Sequence, residues 1–121
     1  MPDSVGIDMV DVDEVREALA AHGERYLERV YTPQERVACG RNPRLLAARF
    51  AAKEATMKAL ACEDRLPWHS IAVATDLNDA PTLALSGPAA EMARARGINS
   101  VALSLTHGAS YAAAIVLTEA S

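Results

Sequence analysis

The stretch from Asn42 to Leu60 places the strongest limit on the fold, because it predicts one long helix with three different faces. Asn42 is a favourable N-cap and Pro43 fits the first helical turn, so we expect a helix that continues to about Ala61. At 100° per residue, one face of this helix is apolar. A second face holds only Ala48, Ala51, Ala55 and Ala59, which allows a neighbouring backbone to come close. A third face carries Glu54 and Lys58.

The core around this helix must be built from small and aliphatic side chains, because 50% of the residues are hydrophobic but only 4% are aromatic. A chain of 121 residues fits a single domain over residues 1–121. Its longest apolar runs fall short of the roughly 20 residues that cross a membrane, and the N-terminus does not read as a signal peptide. Cys39 and Cys62 lack metal-ligand spacing, which favours reduced thiols in the cytoplasm over a disulfide.

Shorter elements are predicted on both sides of the long helix. The segment VGIDMVDV alternates like a strand, with Val5, Ile7 and Met9 on one face and Gly6, Asp8 and Val10 on the other. The other predictions are a helix capped within Asp11–Asp13 and closed by Gly23, a short helix after Thr32, strands at Ser70–Asp76 and Thr82–Gly87, a helix at Pro88–Gly97, and a final hairpin through His107 and Gly108. The expected class is α+β, with helices packed on one face of a mainly antiparallel sheet.

The charge is distributed unevenly along the chain. The net charge of −4 argues against a general nucleic-acid-binding surface. Residues 41–60, however, hold one acidic and five basic residues, a net charge of +4, whereas residues 1–40 carry −5 and residues 61–121 carry −3. This concentration of positive charge suggests a local anionic ligand.

Four polar residues are candidates for chemistry. Asp8 lies mid-strand, where a carboxylate needs a partner such as a backbone N–H. Glu54 and Lys58 could form an ordinary exposed ion pair four residues apart, and His107 could be only a turn residue. Taken together, two carboxylates among several cations would suit Mg²⁺ and a polyphosphate, because the metal takes oxygen ligands and the cations offset the remaining phosphate charge.

Three segments, VGIDMVDV, RFAAKEATMKAL and SLTHGASYAAAIV, resemble the signature blocks of holo-acyl-carrier-protein synthases, the small 4′-phosphopantetheinyl transferases. Their order and positions match, so the resemblance covers essentially the whole chain. It implies the phosphopantetheinyl transferase fold and transfer of 4′-phosphopantetheine from coenzyme A to a serine of a fatty-acid or polyketide acyl carrier protein, with release of 3′,5′-ADP. A non-catalytic relative that only binds coenzyme A or the carrier is the alternative.

The resemblance also implies roles for particular residues. Asp8 and Glu54 would hold the catalytic Mg²⁺, Lys58 would contact phosphate, and either Glu54 or a metal-bound water would act as the base. The remaining matched positions would lie near the coenzyme A nucleotide and its phosphates: Arg49, Lys53, Pro81 and His107. Members of the family are usually trimers with sites at subunit interfaces, which would suit the alanine face of the long helix.

Two positions depart from the family pattern. The turn Asp79-Ala80-Pro81 stands where many members have Gly-Lys-Pro, so Pro81 is kept and a nucleotide-binding lysine is lost. Glu14 stands where many members have an arginine that docks the acidic carrier. Repulsion at Glu14 would shift docking toward Arg16, Arg25, Arg29 or Arg44, or would imply a less acidic carrier. Alternatively, Glu14 only favours the N-terminus of its helix.

Overall fold

The computed structural model describes residues 4–120, in which helices pack on antiparallel β-structure. The elements in chain order are β1 (Ser4–Asp11), α1 (Val12–His22), α2 (Glu24–Val30), α3 (Pro33–Cys39), α4 (Pro43–Ala59), β2 (Ile71–Thr75), β3 (Pro81–Leu85), α5 (Gly87–Ala95), β4 (Ile98–His107) and β5 (Tyr111–Ala120). Strands β1, β5 and β4 form one antiparallel sheet in that order, and β2 pairs with β3 in a separate hairpin. The predicted α+β class is confirmed. The sequence predicts no signal peptide at the N-terminus. Residues 1–3 of that segment lie outside the described residues.

Local capping chemistry fixes where several helices begin. The Thr32 hydroxyl accepts from the Glu35 N–H and the Glu35 side chain accepts from the Thr32 N–H, which closes a capping box at α3. Asn42 accepts from the N–H of Arg44 at the start of α4, as predicted. Helix α2 was missed, because Gly23, with φ of 55°, both closes α1 and opens α2 without a side-chain cap.

The backbone of β1 touches helix α4 directly. A Cβ atom added at Gly6 would lie 1.9 Å from the carbonyl oxygen of Ala55 and 2.8 Å from the amide nitrogen of Ala59. The alanine face of α4 is buried against this strand, which confirms the predicted close approach: Ala48, Ala51, Ala55 and Ala59. Because the neighbouring backbone belongs to the same chain, the expectation that this face suits contact with another subunit is wrong.

The opposite face of the three-stranded sheet is exposed and apolar. The predicted alternation of β1 is confirmed, and its larger apolar side chains point away from α4. Val5, Ile7 and Met9 are 60%, 60% and 67% exposed. In the antiparallel register Leu117 pairs with Val5 and Ile115 with Ile7, and both partners are also exposed. We call these five residues the outer sheet face.

A second apolar cluster lies beyond the end of α4, under the β2–β3 hairpin and α5: Met57, Leu60, Leu66, Ile71, Ala89 and Ala93. Cys39 and Cys62 are both unpaired, as predicted, and burial raises the pKa of the Cys39 thiol to about 11. Within residues 4–120, no helix combines the length and the apolar character that a bilayer-spanning segment requires.

The contact at Gly6 predicts a large effect of one methyl group. Gly6→Ala should destabilise the protein by roughly 1–3 kcal/mol or more, because the new Cβ meets backbone atoms that cannot rotate away. Urea denaturation measures the free energy of unfolding. Gly108→Ala is the matched control, since the nearest atom to its added Cβ would be 3.9 Å away. Equal stability of the two variants would contradict this account of the β1–α4 contact.

Candidate active site

Asp8 lies on the face of β1 that points toward α4, and β1 is an edge strand of its sheet. Its side chain is 18% exposed, and its Oδ1 atom lies 3.0 Å from the Nζ atom of Lys58. The same ammonium group donates to the carbonyl oxygen of Ile7 at 3.0 Å. The partner that a mid-strand carboxylate needs is therefore a lysine of the long helix.

Glu54 lies on the same side of α4 as Lys58, one helical turn before it. Because α4 runs antiparallel to β1 and Gly6 lies against Ala55, Asp8 faces the helical turn that carries Glu54. The Glu54 side chain is 20% exposed, and its Oε1 atom accepts from Arg65 at 2.9 Å. The simple Glu54–Lys58 pair is thus replaced by two separate contacts, Lys58 with Asp8 and Glu54 with Arg65.

Arg65 is a site residue that the sequence analysis missed. It lies on the segment between α4 and β2, which turns back sharply after the helix. The N–H groups of Ala61 and Cys62 donate to Lys58 and Met57 carbonyls at 3.0 and 3.1 Å, a closing motif that usually has glycine at the position of Ala61. Ala61 adopts the left-handed conformation there, with φ of 53°. No periodic signal marks Arg65, since loop residues acquire partners only through the path of the loop.

An open groove of about 500 Å³ runs between α4 and this segment. Its polar lining combines three carboxylates with two cations: Glu54, Glu63, Asp64, Lys58 and Arg65. A polyphosphate entering the groove alone would meet more negative than positive charge. Additional positive charge would therefore be required for it to bind here.

The donor set fits a magnesium ion that keeps most of its ligands from solvent or substrate. Within residues 4–120 there is no cluster of three or more histidine, cysteine, aspartate or glutamate side chains that could enclose a metal. Two partly exposed carboxylates, Asp8 and Glu54, are the ligands that the sequence analysis predicts for the ion. Mg²⁺ commonly binds in this way, through one or two carboxylates together with substrate phosphates and water.

Lys53 does not face the groove, and its expected contact with coenzyme A does not fit the structure. The side chain is fully buried, with Nζ 2.8 Å from an oxygen of Glu35, which is also fully buried. It further donates to the carbonyl oxygens of Trp68 at 3.0 Å and Ile71 at 2.6 Å. Burial lowers the pKa of Lys53, and the nearby Glu35 carboxylate opposes that shift. All three donors of the ammonium group are used inside the protein.

The other residues that the resemblance assigned to the nucleotide lie apart from this groove. Arg49 is half-buried on α4, donates to the Leu45 carbonyl at 3.4 Å, and has a buried Nε atom without a partner among the described residues. Pro81 opens β3, and His107 ends β4 and is exposed. Within one chain, Lys58 contacts Asp8 and lines the groove together with Glu54, whereas Arg49, Pro81 and His107 do not line this groove.

Comparison with known proteins decides the family. The sequence profile of the 4′-phosphopantetheinyl transferase superfamily matches residues 4–116. The chain belongs to this superfamily.

Relatives within the superfamily match at almost full length. A holo-[acyl-carrier-protein] synthase of Anaeromyxobacter sp. (strain K) is 44% identical over 121 residues, covering 95% of this chain and 94% of that protein. The Helicobacter pylori holo-[acyl-carrier-protein] synthase, solved in complex with coenzyme A, has a TM-score of 0.85 and 30% identity, covering 95% and 99% of the two chains. The ACPS–CoA complex of Chronobacterium ammoniagenes has a TM-score of 0.86 and 28% identity over 100% and 99%. The predicted family and fold are confirmed.

Two lysines of α4 should respond differently to the same substitution. Lys53→Met should lower the free energy of unfolding by about 3–5 kcal/mol, because it leaves the buried Glu35 carboxylate without its counter-ion. Lys58→Met should change it by no more than about 1 kcal/mol, since that lysine is mostly exposed. Calorimetric titration of the folded variants with coenzyme A should show weaker binding only for Lys58→Met. A folded Lys53→Met protein with weakened binding would show that Lys53 serves the site directly.

Proposed function

We propose that this protein is a holo-[acyl-carrier-protein] synthase that moves 4′-phosphopantetheine from coenzyme A to a serine of an apo acyl carrier protein. The products are the holo carrier protein and 3′,5′-ADP. The proposal rests on the contact of Lys58 with Asp8 at 3.0 Å and on the open groove that Lys58 and Glu54 line, in a superfamily whose relatives carry this name.

Asp8 and Glu54 are the residues that would hold Mg²⁺. The ion, when bound, supplies positive charge to the diphosphate of coenzyme A during attack and departure. This requirement follows from the groove itself, where carboxylates outnumber cations. Magnesium dependence is therefore part of the proposal.

Lys58 is placed to stabilise charge on the transferred phosphate. Its ammonium carries three donors, of which two go to Asp8 and the Ile7 carbonyl, so a third remains for a phosphate oxygen. Its side chain is 56% exposed, which lets the group follow the phosphate as charge develops. The attacking serine must lose a proton, and Glu54 is the candidate base that this chain supplies.

Mass spectrometry of an apo carrier protein incubated with this protein, coenzyme A and Mg²⁺ tests the proposal. A mass gain of one phosphopantetheine supports transfer. Binding of coenzyme A and the carrier without a mass gain would favour the alternative, a non-catalytic binding relative. The intact set of Asp8, Glu54 and Lys58 favours the active enzyme.

Removing either carboxylate should abolish transfer without unfolding the protein. We expect Asp8→Ala and Glu54→Ala each to lower the transfer rate by at least about 100-fold, because a single carboxylate holds the metal poorly. Their melting temperatures should stay close to that of the parent protein. Glu91→Ala, which removes an exposed carboxylate from α5, is the control. Full activity of Glu54→Ala would contradict the metal assignment.

We further propose that three copies assemble through the outer sheet face. The five large apolar side chains of this face lie on two paired strands and are 42–67% exposed, and contiguous exposed apolar surface of this kind is typical of protein–protein contacts. In such an assembly Arg49, Pro81 and His107, which lie away from the groove of their own chain, could contribute to the coenzyme A site of a neighbour. A shared site would explain why one chain does not gather all the expected contacts.

A charge on the outer sheet face should therefore break the assembly. Leu117→Glu places a carboxylate on a residue that is 51% exposed in the single chain, and light scattering should report monomers with little transfer activity. Val37→Glu adds the same charge to a residue of α3 that is 87% exposed and should leave assembly unchanged. A parent protein that is monomeric and fully active would refute the shared site.

The proposed partner is an acyl carrier protein of the fatty-acid or polyketide type in the cytoplasm, where free thiols such as Cys39 stay reduced. Glu14 lies exposed in the first turn of α1, a position where a carboxylate favours the helix N-terminus. If it also faces an acidic carrier, like charges slow the encounter.

Substituting Glu14 separates these two roles. Glu14→Arg should lower the Michaelis constant for an acidic carrier at low salt, and the advantage should shrink as salt screens the charges. Initial rates over a range of carrier and salt concentrations give the constant. A Michaelis constant that does not change at low salt would assign Glu14 to the helix terminus alone.

A further inference from the structure

Arg65 connects a carboxylate of the proposed metal site to the single tryptophan of the chain. Its NH2 group donates to Oε1 of Glu54 at 2.9 Å. The centre of the same guanidinium group lies 4.8 Å from the centroid of the Trp68 ring. Its NH1 group lies 3.8 Å from the sulfur of Met57.

We propose that Arg65 is a positioning residue whose ion pair with Glu54 exchanges for a divalent cation at that carboxylate, and whose guanidinium then faces the phosphates of the bound substrate. The inference rests on the proposed function for the identity of those phosphates. The exchange at Glu54 itself requires only a divalent cation.

The exposure of the two partners supports an exchangeable contact. The Glu54 side chain is 20% exposed and projects from helix α4, whereas the Arg65 side chain is 62% exposed and belongs to the segment between α4 and β2. Ion pairs with an exposed partner contribute little net stability, because water screens the charges. A divalent cation bound between Glu54 and Asp8 would have twice the charge and two carboxylate partners, so it should displace the guanidinium.

The contact with Trp68 keeps the displaced arginine in the groove. A guanidinium group stacks on an aromatic face and presents several N–H donors in a planar fork, which suits phosphate oxygens. Trp68 is itself held by Phe50, with ring centroids 5.0 Å apart. After release from Glu54, Arg65 therefore needs only a short movement over a fixed ring to reach a ligand between α4 and its own segment.

Glu63 and Asp64 explain why such a group is needed. They precede Arg65 in the chain and line the same groove with two further carboxylates. Apart from Arg65, the cation among the described lining residues is Lys58, which already contacts Asp8. A phosphate group would therefore receive the full guanidinium fork of Arg65 only once the contact with Glu54 is released.

Titration of the purified full-length protein with Mg²⁺ alone tests the exchange, with calorimetry for affinity and Trp68 fluorescence as a local reporter. Mg²⁺ should change the emission of the parent protein, since the guanidinium over the ring moves. In Arg65→Gln, Mg²⁺ should bind about two- to fivefold more tightly, because the competing ion pair is gone, and the emission change should be lost. Coenzyme A at saturating Mg²⁺ should bind that variant about three- to tenfold more weakly.

Two further variants separate the contact from simple charge. Arg94→Gln removes an exposed arginine of α5 and should leave Mg²⁺ affinity and Trp68 emission as in the parent protein. Arg65→Lys keeps the charge but stacks poorly, so it should keep most of the competition for Glu54 and lose most of the emission change.

Equal Mg²⁺ affinity in the parent protein and Arg65→Gln would overturn the proposal, as would an emission change that persists in Arg65→Gln. These outcomes are independent of transfer. If the exchange occurs but no carrier protein is modified, the proposed function fails and the role of Arg65 stands. If transfer occurs and the Mg²⁺ affinity is the same with and without Arg65, the proposed function stands and the role of Arg65 fails.

Discussion

The contact between the backbone of β1 and helix α4 is the constraint on which the site depends. Gly6 has no side chain and faces Ala55, so strand and helix meet at backbone distance. Because side chains alternate along a strand, holding Gly6 against the helix also turns Asp8 toward the helix. A slip of one residue would direct Asp8 to the outer sheet face and separate it from Lys58. The alanines of α4 thus determine the position of the Asp8 carboxylate, two residues from Gly6, relative to the helix.

A second, buried contact positions the far side of the groove. The Glu35 carboxylate accepts from the N–H of Val73 at 2.9 Å as well as from Lys53. Lys53 in turn donates to the carbonyl oxygens of Trp68 and Ile71. The pair therefore ties α3 and α4 to the start of β2, and it fixes the backbone beside the ring on which Arg65 rests. A buried ion pair contributes little net stability, but it does specify one arrangement of the elements that it joins.

The sequence was most informative where structure is decided locally. The starts of α3 and α4 were predictable from Thr32 and Asn42, because a cap needs only the next three residues. The alternation of β1 was also predictable, but not which face is buried. The face with the larger apolar side chains, such as Ile7, is exposed, because contact with α4 selects Gly6 instead. Tertiary contact, rather than hydrophobicity alone, made that choice.

The positive charge predicted for the site did not gather on one surface, and the reason is the geometry of a helix. The net charge of +4 in residues 41–60 suggested a cationic surface, yet a helix distributes consecutive side chains around its axis. Lys53 points into the core, Lys58 points to β1, and Arg41 pairs with Glu24 at 3.2 Å on a different part of the surface. Charge along a helical sequence therefore overestimates the charge that any one ligand meets. In the groove of this protein the balance is instead negative, and this local balance, which the sequence total conceals, is the reason for proposing a metal ion and an exchange at Arg65 there.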